Sequence, residues 1–157
     1  MSDDNGLEAI WGLLEQVKDP EIPVLSLHDL GILRNVERIG SGLKVTITPT
    51  YSGCPAMDTI RDDIKQLLNR SGYKDVEIKT VLSPAWTTDW MTEEGKSKLL
   101  QFGIAPPGKV AESLKSVLCP RCRSAETNLI SEYGSTACKS MYQCNACKEP
   151  FCYFKAI

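Results

Sequence analysis

Two C-x-x-C pairs near the C-terminus, Cys119-Pro-Arg-Cys122 and Cys144-Asn-Ala-Cys147, are separated by 21 residues. Thiolates two residues apart can reach one metal ion together. A second pair closes a tetrahedral site with bonds of about 2.3 Å, the geometry zinc prefers. Four protein ligands leave no open position, so such a site is structural and takes no part in chemistry. A redox dithiol would need one C-x-x-C opening a helix in a βαβ setting, whereas these pairs lie among loops and short strands. Iron in the same four-thiolate geometry is the alternative metal. Cys138, six residues before Cys144, is the possible substitute ligand, and Cys152 is a further thiol of the tail. Arg123 stands where a glycine with left-handed backbone commonly follows the second cysteine of such a knuckle.

The last 40 residues cannot bury much core unaided, so the metal is expected to supply their stability. Leu129-Ile130, Met141-Tyr142 and Phe151 to Phe154 are the strand candidates there. Seven cysteines, an odd number, with two such pairs argue for a reducing compartment and a metal instead of a disulfide framework. No apolar run approaches the roughly 20 residues that span a bilayer. The acidic start lacks the apolar core of a signal peptide. The expectation is a cytoplasmic protein without a membrane segment.

Residues 1–104 read as one α+β domain. Leu7, Ile10, Trp11, Leu14 and Val17 recur at helical spacing, with Pro20 and Pro23 ending the helix. A strand over 32–39, a glycine-rich turn and the alternating Leu43, Val45 and Ile47 form a hairpin. A helix starting at Pro55 sets Met57, Ile60, Ile64, Leu67 and Leu68 on one face and Asp58, Arg61, Asp62 and Lys65 on another, and Val76 to Leu82 is a third strand. The strand–helix–strand order favours a parallel pairing through a right-handed crossover. A short helix over 92–102 has Thr92 as its N-cap. The fold class is therefore α+β, a small mixed β-sheet with packed helices, followed by a linker at 105–116 and a zinc-ribbon-like subdomain at 117–157.

Charge excludes one class of partner. Residues 1–104 carry 11 Lys+Arg against 16 Asp+Glu, and the rest carry 7 against 4. Zinc with four thiolates would remove two more charges from a tail of net +3, which is too weak a patch to imply nucleic acid. No nucleic-acid partner is expected.

Cys54 lies between a strand and a helix, in Thr50-Tyr-Ser-Gly-Cys-Pro-Ala. The helix N-terminus would favour its thiolate; alternatively it fills a tight turn as a small apolar residue. Asp19-Pro-Glu-Ile-Pro23 sets two carboxylates in a stiff turn, and the lone His28 precedes Asp29. These groups are either a ligand rim near Cys54 or turn caps with a surface histidine. Trp86 and Trp90 either line a binding surface or close a core.

Asp19-Pro-Glu-Ile-Pro23, Ser26-Leu-His-Asp-Leu-Gly31 and Thr50-Tyr-Ser-Gly-Cys-Pro55 resemble the SufT-like iron–sulfur assembly domain family. Thr48 to Met57, Pro84 to Trp90, Gly103 to Pro107, Gly134 to Lys139 and Glu149-Pro-Phe resemble one branch of it, the PaaD family of phenylacetate degradation. The resemblance covers nearly the whole chain. It implies a metal-handling role for Cys54 and Glu21, zinc on Cys119, Cys122, Cys144 and Cys147, and a function for Cys138 beyond filling space. Cys152 stands where the branch is expected to have aspartate. The implied function is a non-catalytic maturation or assembly factor for iron or iron–sulfur centres of phenylacetyl-CoA epoxidase, with transient iron or a cluster as cargo. Implied partners are the oxygenase or reductase subunits and a second copy, since one thiolate cannot hold a cluster that needs about four ligands. The alternatives are a structural subunit of that complex, a zinc-ribbon nucleic-acid binder and a thiol oxidoreductase using Cys54.

Overall fold

The computed structural model describes residues 3–51, 53–108 and 116–156, with the side chains of 3–5 left aside. The chain divides into two units, 1–86 and 87–157. In the first, the order is α1 (Asp3–Leu14), α2 (Leu27–Leu30), β1 (Leu33–Ile39), β2 (Gly42–Ile47), α3 (Met57–Arg70) and β3 (Val76–Thr80). The sheet order is β1-β2-β3, with β1 antiparallel and β3 parallel to β2. This is the mixed sheet the alternating pattern predicts. Gly42 is required at the start of β2 because a Cβ there would collide with the carbonyl oxygen of Asp75 on the approach to β3.

Helix α1 packs on α3 and β1. Ile10 and Leu14, one turn apart, are fully buried, as are Ile64 and Leu68 on α3. The helix ends at Leu14 and not at the prolines. Gln16 and Val17 donate to Leu13 and Leu14 in i→i+3 bonds of 3.0 and 3.1 Å, which tighten the last turn and stop the helix. Val17 is buried beyond that end, where its carbonyl accepts from Leu27 at 3.0 Å.

The residues between form a closed loop. Lys18 and Ser26 pair as an antiparallel bridge, and Asp19 N–H donates to the Leu25 carbonyl at 2.9 Å. Asp19 Oδ1 accepts from the N–H groups of Glu21 and Ile22, each at 2.8 Å. Ser26 and Asp29 make a reciprocal capping box on α2, at 3.0 and 3.1 Å. Asp19 and Asp29 are thus turn and helix caps, and His28 is exposed on α2. Trp86 closes the core: it is buried and its indole N–H donates to the Leu30 carbonyl at 2.8 Å.

The second unit contains a 3₁₀ turn (Thr88–Trp90), α4 (Glu93–Gln101), β4 (Ile104–Ala105), β5 (Thr127–Ser131), β6 (Lys139–Cys144) and β7 (Pro150–Phe154). Thr92 caps α4 by accepting from Gly95 N–H at 2.9 Å, as the sequence predicts. The sheet order is β4-β7-β6-β5. The expectation that 104 ends the first domain and 105 opens a linker is corrected here. Ile104 and Ala105 pair in parallel with Cys152 and Tyr153 of β7 and are buried, so this stretch completes the ribbon's sheet. Its proline pair begins only after that strand. Residues 109–115 of the expected linker lie outside the described set.

Trp86→Phe tests the closing hydrogen bond. It keeps an aromatic ring but removes the donor, and should lower the stability of the first unit by about 1–2 kcal/mol in urea unfolding. An unchanged midpoint would show that the indole bond contributes nothing to closure.

Candidate functional site

Two cysteine constellations stand apart in the chain. In the second unit, the sulfurs of Cys119, Cys122, Cys144 and Cys147 all lie within 4.8 Å of one another. Cys119 Sγ is 3.7 Å from Cys147 Sγ, and Cys122 Sγ is 3.5 Å from Cys144 Sγ. A tetrahedron with bonds of about 2.3 Å has edges of about 3.8 Å, so the spacing fits one zinc ion and is far too long for a disulfide.

The two knuckles share one backbone pattern. Arg123 N–H donates to the Cys119 carbonyl at 2.9 Å, and Lys148 N–H to that of Cys144 at 3.0 Å. Both residues adopt positive φ, 66° and 68°, which the sequence flagged at Arg123 and missed at Lys148. Cys147 N–H donates to Cys144 Sγ at 3.4 Å, which pulls that thiol down to about 7 and prepares it to ligate. Cys119 and Cys144 are buried with Ala105 and Phe151 in the ribbon core. Zinc held here supplies folding energy, not chemistry.

Cys138 is outside this group. Its sulfur lies 2.9 Å from Thr136 Oγ1, and its carbonyl accepts from Lys155 N–H. Cys152 donates to Met141 Sδ at 3.5 Å. None of the seven cysteines is in a disulfide.

The second constellation surrounds Cys54. Gly53, at φ 77°, turns the chain out of the β2 exit so that Cys54 precedes α3. The helix starts later than the sequence suggests. Ala56 is its N-cap, which places Pro55 before the helix and not at its first position. Cys54 is half-buried beside an open cleft of about 440 Å³ whose lining includes Gly53, Met57, Asp58, Arg61 and Leu82.

The expectation of a depressed thiol pKa is overturned. Burial pushes the Cys54 thiol above its ordinary value. The Glu21 and Asp19 carboxylates push it the same way, while the Ala56 N–H and the Tyr51 hydroxyl oppose them. The helix N-terminus does contribute a donor, but desolvation and two like charges outweigh it. The same effects show that the structure brings Cys54, Glu21 and Asp19 into electrostatic range across 35 residues of sequence. A divalent cation bound at the Cys54 sulfur would offset this unfavourable field and favour release of the thiol proton.

Sequence reasoning missed Tyr51 and Arg61. Tyr51 stood inside the quoted motif without an assigned role. Arg61 falls with Asp58, Asp62 and Lys65 on the charged face of α3, and only the fold turns it into the cleft.

Comparisons with known proteins follow this division. The model for the PaaD zinc beta ribbon domain matches residues 104–155, and the model for an iron–sulfur cluster assembly protein matches 7–80. The chain is 50% identical over 151 residues to a protein of Escherichia coli (strain K12) described as a putative subunit of 1,2-phenylacetyl-CoA epoxidase, covering 94% of this chain and 92% of that one. It is 39% identical over 94 residues to an Fe-S protein maturation auxiliary factor of Porphyromonas gingivalis, covering 59% of this chain and 89% of the relative. A domain-of-unknown-function DUF59 crystal structure from Bacillus anthracis superposes with a TM-score of 0.54 at 28% identity, over 59% of this chain and 89% of the other.

Two measurements check the constellations. Elemental analysis should find about one zinc per chain, and Cys119→Ser should lose it and unfold the ribbon while the first unit stays folded. Full zinc retention in that variant would remove Cys119 from the ligand set. The pH profile of Cys54 alkylation, read by peptide mass, should have its midpoint above that of an ordinary thiol. Glu21→Gln should lower that midpoint, because it removes a charge that disfavours thiolate. A midpoint unmoved or raised by the substitution would place Glu21 outside the field of Cys54.

Proposed function

Because the chain belongs to the PaaD family, built from an iron–sulfur cluster assembly domain and a zinc ribbon, we propose that it is a maturation factor for iron or iron–sulfur centres of phenylacetyl-CoA epoxidase. The observation that carries this reading is Cys54, half-buried beside an open cleft and within the electrostatic range of the Glu21 and Asp19 carboxylates. A soft thiolate with carboxylates suits transient docking of iron as cargo. The ribbon's zinc is closed and has no open position for cargo.

On this reading the protein is not itself a catalyst. It works in the cytoplasm with the oxygenase or reductase subunits as clients. A homodimer would supply a second Cys54 toward the four ligands of a cluster. Seven cysteines without a disulfide suit a reducing compartment. Among the described residues, no helix is long and apolar enough to cross a membrane.

A second reading, a non-catalytic structural component of the epoxidase, draws on the description of the E. coli relative as a subunit. The two differ in stoichiometry, since a maturation factor is dispensable once its client is loaded.

Cys54→Ser and Glu21→Gln should each cost about 1 kcal/mol or less in stability, since neither residue is fully buried. Epoxidase purified from cells carrying either variant should be soluble, with its iron and activity reduced by about tenfold. Fully loaded, active epoxidase from both would defeat metal handling and leave the structural role.

A further inference from the structure

The cleft beside Cys54 holds a guanidinium whose hydrogen bonding is incomplete. Arg61 Nη2 donates to Thr80 Oγ1 at 2.5 Å. Its Nη1 stands 3.7 Å from Asp58 Oδ1, beyond hydrogen-bond length, and that carboxylate is almost wholly in water. The buried Nε has no acceptor among the described residues. Arginine offers five donors in a planar fork suited to a carboxylate, and here its close partner among the described residues is a neutral hydroxyl. The side chain is 41% exposed, so its head can be reached from the cleft. Pro49, Met57 and Leu82 give the same cleft apolar walls.

A thiol and an under-used guanidinium thus line one opening of about 440 Å³. Iron at Cys54 would have one sulfur ligand from this chain and would lack others. We propose that the cleft binds a low-molecular-weight thiol bearing a carboxylate, of the peptide-thiol class. Its carboxylate pairs with Arg61, its stem lies against Met57 and Leu82, and its sulfur joins Cys54 on the cargo iron. The ligand's S–H proton passes to solvent as its sulfur–iron bond forms, and no electron is transferred. The inference rests on the reading of Cys54 as an iron-docking residue and adds the co-ligand that a single chain lacks.

Anaerobic equilibrium dialysis of Fe(II) against the zinc-loaded full chain tests both layers separately. Reduced glutathione is the probe and S-methylglutathione, with its sulfur blocked, the control. Glutathione should tighten Fe(II) binding to the wild type by about tenfold, whereas S-methylglutathione should not. Arg61→Gln should keep Fe(II) binding without glutathione but lose most of the enhancement. Arg61→Lys, which keeps the charge but not the planar fork, should recover part of it. Thermal melts of the variants report whether the first unit stays folded. Cys54-dependent binding that glutathione leaves unchanged, or an enhancement undiminished in folded Arg61→Gln, would overturn the co-ligand site alone. No Cys54-dependent binding with or without glutathione would overturn the docking reading as well.

Discussion

Four sulfur atoms held within 4.8 Å of one another are a repulsive arrangement once they ionise, and a cation at their centre reverses it. The second unit depends on that reversal. Its strands are short, β5 is largely exposed, and Leu129, Ile130 and Tyr133 stand in solvent. Cys119 and Cys144 are buried together with Ala105 and Phe151, so two of the metal ligands are also part of an apolar cluster of the ribbon. The two knuckles repeat one set of backbone bonds around their first cysteines, which presents the four sulfurs in near-equivalent pairs.

The first unit handles charge in the opposite way. Burial of the Cys54 sulfur, together with the Glu21 and Asp19 carboxylates, holds the thiol proton more tightly than in an ordinary cysteine. The acidic turn is stiff because Asp19 binds two backbone N–H groups and the Lys18–Ser26 bridge closes the loop at its base. That backbone framework holds Glu21 in range of Cys54. A closed zinc site supplies stability, whereas the proposed role of Cys54 needs an open thiol that accepts and releases a cation. On that proposal one chain separates the two roles into two units.

Cys54 carries two signals of different kinds. Its motif marks the residue, and the fold supports its place at a cleft with carboxylates nearby. Its position ahead of α3 predicts a low pKa, and there the sign is wrong. The N–H donors ahead of the helix are countable along the chain, but the burial of the sulfur and the approach of Glu21 and Asp19 are not. Asp29 shows the reverse case: Ser26 and Asp29 are three residues apart, so their capping box is local and Asp29 was readable as a cap.

Sequence alone determined what depends on neighbours along the chain. The alternation of β2, the apolar stripe of α3, the Thr92 cap and the spacing of Cys119, Cys122, Cys144 and Cys147 all act over a few residues, where periodicity and reach are fixed by backbone geometry. Tertiary structure decided what depends on distant segments meeting. It ended α1 at Leu14 by drawing Val17 into the pairing with Leu27. It gave Ile104 and Ala105 to the ribbon because β7, 48 residues later, offered an open edge. It turned Arg61 from a surface charge into a lining of the Cys54 cleft. Each of these outcomes rests on a hydrogen-bond partner or a solvent boundary that does not exist until the chain has closed on itself.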